Sequence, residues 1–458
     1  MLNHIYHYNT NGEQRFFLGS KLHPLYTLIA MNGNIVSHTP AGVAGFIANT
    51  AKPFYIDPQT HAFQHATSNL KRDVSDREKG EPPKMEFKPS IVKLAERLGT
   101  PFSSVIDNDR PLAPEAFIEG GGEPNAASIR EICEKAVEFE TRILLDSLDE
   151  EAKEFLDEKN QFDPALVVPP YFYLSPNRFK DWLKINIAAF EETRSIERSK
   201  PIFFPILVSQ GTLAEQSTEI IEAVERVAPD GILLWIDGHT EETLSGNQVE
   251  LFIKLTAGLR RFSGDVFNIH GGFLSILMGH NHLKNGLTGV GHAVNYGESR
   301  SIIPVGGGIP LAHFYFPSIH ARLRFGDALG IMLAKGYLKS TESYLDNVCR
   351  CTECNELLAE KKGSADAAFY VYGESTPTRV KRRSGSVVSL EYPTKEAKQA
   401  ASCHYLFNKA KEFQDVERLP FKQLVGTLRE SYNELSSDVG EELVAHLNIW
   451  DSILNELI

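Results

Sequence analysis

The sequence predicts an α/β protein: a (β/α)8 TIM barrel followed by a C-terminal zinc-binding subdomain and a helical tail. Three observations predict it. Eight short apolar runs alternate with stretches that carry apolar residues at helical spacing, as the strands and helices of a parallel barrel do. Cys349, Cys351 and Cys354 fall together late in the chain, and from about residue 396 the pattern is helical to the end. At 458 residues the chain is long enough for one large barrel core and a smaller appendage.

Residues 26–40 place Asn32-Gly33 between two short apolar runs, the commonest short hairpin signal, so a β-hairpin is expected to open the fold. Strands are then expected at 54–56, 102–106, 165–173, 202–208, 231–236, 266–269, 287–294 and 313–316. Between them, apolar spacing predicts helices over 128–158, 177–197, 214–228, 241–262 and 318–336. Two polar stretches, 67–90 and 361–395, break this rhythm and read as excursions from the barrel. The division that follows is a barrel with its N-terminal hairpin over 1–340. A zinc-binding subdomain over 341–458 then holds the 361–395 insertion and the helical C-terminus.

Composition excludes several classes. Apolar residues make up 42 % and charged residues 23 %, with ordinary glycine and proline, which rules out collagenous, coiled-coil and disordered chains. No stretch reaches the roughly 18 apolar residues of a membrane span, and the start has no basic region or long apolar run, so a soluble, cytoplasmic protein is expected. A net charge of −13 disfavours wrapping of a polyanion by the whole surface, leaving nucleic-acid contact to local basic patches such as Arg379, Lys381, Arg382 and Arg383.

Five cysteines do not make a disulfide framework in so long a chain. Three thiolates spaced Cys-x-Cys-x-x-Cys converge instead on a tetrahedral soft-metal site, with structural zinc as the expected ion. His404 is the candidate fourth ligand and Cys403 its immediate competitor. Four protein ligands would close the metal site, so chemistry is expected at the C-terminal ends of the barrel strands. Those ends carry Asp57, Gln210-Gly211 and Asp237-Gly238-His239, although acidic residues after apolar strands also serve as helix caps and turn formers. Further along lie His270, His292, Tyr296, Glu298, Arg300, His313 and Tyr315.

The cysteine motif with a later histidine, following a barrel pattern, resembles the zinc signature of the tRNA-guanine transglycosylases. These are barrel enzymes with a zinc subdomain that exchange guanine for a 7-deazaguanine. Lys52-Pro-Phe-Tyr-Ile-Asp57, continuing to Gln64, resembles the family's Lys-Pro-Ile-Leu-Thr-Asp-Ser-Gly-Gly-Phe-Gln, with two extra residues and no Ser-Gly-Gly. The resemblance implies that Asp57 is a general acid/base. Phe204-Pro-Ile-Leu-Val-Ser-Gln210-Gly211 is similar to the family's Val-Gln-Gly strand end, implying base contact by Gln210 and Gly211, and Gly238 stands at the second glycine of Gly-Leu-Ala-Val-Gly-Glu. The resemblance spans about 25–415.

Two departures fall on chemistry. Tyr171 stands where the family reads guanine with an aspartate, and 286–294 puts glycine or histidine where the family's nucleophilic aspartate ends its seventh strand. Retaining base exchange requires a carboxylate to attack C1′ of the ribose, so Asp237 or Glu298 is the candidate substitute. The implied function is exchange of a guanine-type base in tRNA or DNA for a 7-deazaguanine, with subunits pairing through the zinc region. The rival expectations are a catalytically inactive nucleic-acid-binding or partner subunit, and a barrel hydrolase of N-glycosides.

Overall fold

The computed structural model describes residues 1–8, 16–20, 22–75, 82–118, 122–157, 162–294, 298–303, 311–381 and 386–458. Its framework is a parallel sheet of seven strands: β1 (Asn3–Tyr8), β2 (Leu28–Asn32), β3 (Phe54–Asp57), β4 (Phe203–Ser209), β5 (Gly231–Asp237), β6 (Asp265–Asn268) and β7 (Gly289–His292). Their spatial order is β3-β2-β1-β7-β6-β5-β4, so the sheet grows outward from β1 in both chain directions and forms a parallel half-barrel. The short segment 165–168 bonds to both edge strands. Ala165 N donates to Phe54 O at 2.8 Å, and Val167 forms a parallel bridge with Ile202.

Alternation along the strands separates two apolar faces. Ile5, Leu28, Tyr55, Val168, Leu207, Leu233 and Phe267 pack together on the inside of the curl. The outward set packs under helices Ala126–Asp146, Phe179–Ile196, Gln210–Val227 and Gly246–Phe262. Three of these helices start where a side chain satisfies their free N–H groups: Asn125 accepts from Ser128 N, Ser209 from Thr212 N, and Ser245 forms a capping box with Gln248.

Several sequence expectations are corrected. The hairpin expected over 26–40 does not form: β1 and β2 run parallel, and Leu28–Asn32 leads directly into the helix Gly33–His38. Asn32 keeps an extended φ of −74° and Gly33 does not take a positive φ, so the Asn-Gly pair caps a helix rather than turning a hairpin. The run at 102–106 is part of the helix Phe102–Asn108, whose buried Phe102 and Val105 are three apart, a helical spacing. His313–Phe316 is a strand, but it pairs antiparallel with Ala321–Arg324 outside the main sheet. The expected helix at 318–336 shrinks accordingly to Phe325–Lys335, and that at 128–158 splits into Ala126–Asp146 and Glu150–Asp157. The strand expected over 287–294 is the last of the sheet, β7, and it adjoins β1.

Both excursions contain antiparallel pairs, Lys71–Asp73 with Met85–Phe87 and Ser375–Lys381 with Val387–Pro393. Arg379 is exposed on the second; Arg382, Arg383 and the side chain of Lys381 lie outside the described residues. The C-terminal helices are Lys395–Arg418, Phe421–Val439 and Ala445–Asn455.

The long helix Lys395–Arg418 carries a fully buried lysine. Lys409 Nζ lies 2.5 Å from Glu298 and 2.8 Å from Glu412, beneath the ring of Tyr315. His320 Nδ1 is 2.7 Å from Glu412, and the Tyr315 hydroxyl also donates to it. Burial alone would push the Glu412 carboxyl up, but Lys409 and His320 outweigh it and bring it down from 4.5 to about 2. A carboxyl lowered on folding contributes stability above its unfolded value, and that stability is lost as pH falls from 4.5 towards 2. Replacing Lys409 by Met is expected to lower the unfolding free energy at neutral pH by about 3–5 kcal/mol, since it strands two buried carboxylates. It is also expected to flatten the acid limb between pH 4.5 and 2. Urea unfolding of both proteins across that range checks this, and identical acid limbs would contradict it.

Candidate active site and metal centre

The last inward-facing residue of five strands is polar. Alternation brings His7 of β1, Asn32 of β2, Asp57 of β3, Ser209 of β4 and Asp237 of β5 to the same side of the sheet, at its C-terminal end. The register sets Asn32 beside Asp57 and Ser209 beside Asp237. Asp57 and Asp237, both expected from the sequence, therefore face into one mouth from different strands.

Asp57 and Tyr171 are brought into contact. Asp57 Oδ1 accepts from the Tyr171 hydroxyl at 2.8 Å and from Gln59 N at 2.9 Å. Tyr171 is held in place by Thr60, whose hydroxyl accepts from its N–H and donates to its carbonyl. Burial raises the Asp57 carboxyl above its ordinary value, against the two hydrogen bonds and Arg300, which lower it. Asn32 Oδ1 accepts from Gln59 Nε2 at 3.1 Å and from Arg300 Nη1 at 3.3 Å. The Arg300 guanidinium lies 5.0 Å over the Trp235 ring, and its carbonyl accepts from Trp235 Nε1. Two residues on, Ile302 N donates to Asp237 Oδ1 at 2.8 Å.

The other candidates take different places. Gln210 opens the helix Gln210–Val227, and its amide nitrogen lies 2.5 Å from His239 Nδ1, whose ring packs on Phe252; its side chain is engaged there, not with Asp57. Gly211 follows it in the helix, and Gly238 has a positive φ of 62° directly after β5. Glu298 is no solvated loop carboxylate: it is buried against Lys409. His292 points to the outer side, where His4 Nε2 and the Tyr26 hydroxyl meet its Nε2 at 3.2 and 3.3 Å. His313 bonds the carbonyl of Leu311, and Tyr296 lies outside the described residues. Strand β7 offers glycine at its inward positions because its neighbours approach closely. A Cβ at Gly291 would lie 2.7 Å from both His7 Nε2 and the Ile269 carbonyl.

The mouth also holds residues that sequence reading missed: His7, Asn32, His61 and Trp235. His61 stacks on Tyr171 with centroids 5.2 Å apart and meets Trp235 edge-on at 5.0 Å. Burial pushes the His7 imidazole down to about 3, aided by Arg300, and drives that of His61 well below its ordinary value. Recognition of β1 and β2 as parallel strands would have exposed His7 and Asn32 by period-two counting alone.

The metal centre is separate. The ligand atoms of Cys349, Cys351, Cys354 and His404 lie within 4.8 Å of one another, an arrangement that could hold a metal ion. Cys351 caps the helix Thr352–Glu360, its Sγ accepting from Cys354 N, while His404 comes from the long helix. His404 Nε2 lies 2.7 Å from the Tyr315 carbonyl, so it carries the proton and leaves Nδ1, 3.3 Å from Cys354 Sγ, as the ligating atom. Tyr344 and Tyr372 place hydroxyls 3.2 and 3.4 Å from Cys354 Sγ, in range to donate to a thiolate. Cys403 points elsewhere, to Ser20 Oγ at 3.4 Å, so His404 completes the set. The metal unit also reaches back before residue 341, through Tyr315 and the strand that bears it.

No family model matches the chain, and no curated protein or solved structure matches it either. Among the described residues, no helix is long and apolar enough to cross a membrane.

Replacing Cys351 by Ala is expected to abolish stoichiometric metal in the purified protein, measured by inductively coupled plasma mass spectrometry, and to lower its unfolding temperature. Metal content equal to that of the parent protein would remove these residues as the site.

Proposed function

We propose that the protein is a transglycosylase-like enzyme that exchanges a guanine-type base in tRNA or DNA for a 7-deazaguanine. In this reading, segment 165–168 closes the sheet into an eight-stranded barrel, and zinc occupies the Cys3His group in a structural role. The observation that carries the proposal is the convergence of Asp57 and Asp237 on the inner face of one set of strand ends. The two carboxylates stand in unlike surroundings, which suits them to unlike tasks.

Asp57 is buried, and burial raises its carboxyl above its ordinary value, which suits it to the role of general acid and base. Asp237 is partly exposed at the rim and is the nucleophile. Asp237 attacks C1′ of a nucleotide turned out of its stack. The C1′–N bond breaks, and the leaving base takes the proton of Asp57. The incoming base then attacks C1′, returns a proton to Asp57 and releases Asp237. Tyr171 and Gln59 hold the Asp57 carboxylate formed in between. The zinc, when bound, braces the helix that carries Lys409, and no step passes through it.

Incubation with labelled guanine and 7-deazaguanines, using tRNA and duplex or single-stranded DNA as acceptors in parallel, tests the assignment. Exchange is expected with one acceptor class, and Asp57→Asn or Asp237→Asn should each slow it at least about 10³-fold. Undiminished exchange by either variant would remove that residue from the mechanism. No exchange with any acceptor, alongside measurable nucleic-acid binding, would favour a non-catalytic partner subunit.

A further inference from the structure

His270 follows β6 at the mouth and has no role in the chemistry above. The residue is 3 % exposed, its ring stacked on His7 with centroids 4.7 Å apart and set edge-on to Trp235 at 4.8 Å. Neither of its ring nitrogens has a hydrogen-bond partner among the described residues. A buried polar atom left unpaired is costly, and an imidazole with both nitrogens bare incurs that cost twice. His61, which also meets Trp235 edge-on, likewise has a bare Nδ1.

The backbone around His270 is built tightly. Gly271 N donates to Gly291 O at 2.9 Å, and Gly272 N to Glu241 Oε1 at 2.8 Å. A Cβ at Gly272 would fall 2.7 Å from Glu298 Oε2 and 2.8 Å from Glu241 Oε2, so the chain passes between two carboxylates where no side chain fits. The imidazole is thus fixed by stacking on one side, by Trp235 on another and by a clamped loop beneath. Burial, with His7 and Arg300, holds the imidazole well below its ordinary value, so it presents one donor and one acceptor. Trp235 and Tyr171 supply flat apolar walls nearby.

We propose that His270 and His61 are the edge-reading groups of a slot for a planar nitrogen heterocycle, a nucleobase, hydrogen-bonding it through the ring nitrogens that the protein leaves unpaired. This rests on the reading of the mouth as a base-binding site and specifies how the base is held. A neutral imidazole offers both a donor and an acceptor, as the edge of a base does, whereas a phosphate oxygen only accepts.

The test combines calorimetry with NMR of ¹⁵N-histidine-labelled protein, using guanine and 7-cyano-7-deazaguanine as probes. The His270 ring resonances are assigned by their absence from whichever of His270→Gln and His270→Asn folds. Addition of the bound probe is expected to move those resonances by several ppm, and the variant is expected to bind it about tenfold or more weakly, with His61→Gln also weakened. A probe that binds the parent protein while the His270 resonances stay fixed, and that binds the variant within twofold of the parent, would overturn the slot and leave the transglycosylase reading standing. Failure of the parent protein to bind either base would overturn both.

Discussion

The arrangement of the mouth depends on one buried cation. Lys409 has no exposure at all, and it holds Glu298 and Glu412 within 2.5 and 2.8 Å. Removing a lysine from water without partners is prohibitive, so the ion pairs are obligatory once the helix docks. Their consequence reaches the site through covalent connectivity. Glu298 begins the stretch on which Arg300 meets Asn32 and Trp235, and on which Ile302 donates to Asp237. The same helix carries His404, whose imidazole bonds the carbonyl of Tyr315, the tyrosine that contacts Glu412. Metal centre and mouth are therefore two ends of one hydrogen-bonded unit.

A second constraint acts on the sheet. Parallel pairing with a two-residue repeat fixes which side chains face inward, and at the strand ends those are His7, Asn32, Asp57, Ser209 and Asp237. The glycines of β7 leave one sector of this ring without side chains, and His7 leans into it. The result is a site in which acidic groups and neutral imidazoles share an aromatic-lined mouth, most of them buried. Burial separates their behaviour: it raises Asp57 and lowers His7, His61 and His270.

Much of this was legible in the sequence where one physical rule acts locally. The Cys-x-Cys-x-x-Cys spacing announced a group of side chains that could hold a metal ion, because three thiols that close have few other uses, and the strands from 202 to 292 were plain in their apolar runs. The opening of the chain was not. Asn3–Tyr8 mixes histidine and tyrosine with one isoleucine, and its burial comes from pairing with β2 and β7, which are distant in sequence. Asn32-Gly33 carries the signal of a hairpin, yet tertiary packing makes it a helix start. Glu298 illustrates the same limit: its partner lies more than a hundred residues away, so nothing near it in sequence foretold an ion pair. The fourth candidate ligand was undecided between adjacent residues, and helix geometry brings His404 rather than Cys403 to the three thiols, since neighbours on a helix point in different directions.

In the proposed exchange, Asp237 is the group that captures the sugar. Protein incubated with tRNA or single-stranded DNA in the absence of any incoming base, then quenched in acid, digested and sequenced by mass spectrometry, reports that event directly. A ribosyl or deoxyribosyl adduct is expected on the peptide containing Asp237, lost when 7-deazaguanine is added before the quench. Base exchange that proceeds with an adduct on another residue, or with none under these conditions, would contradict it.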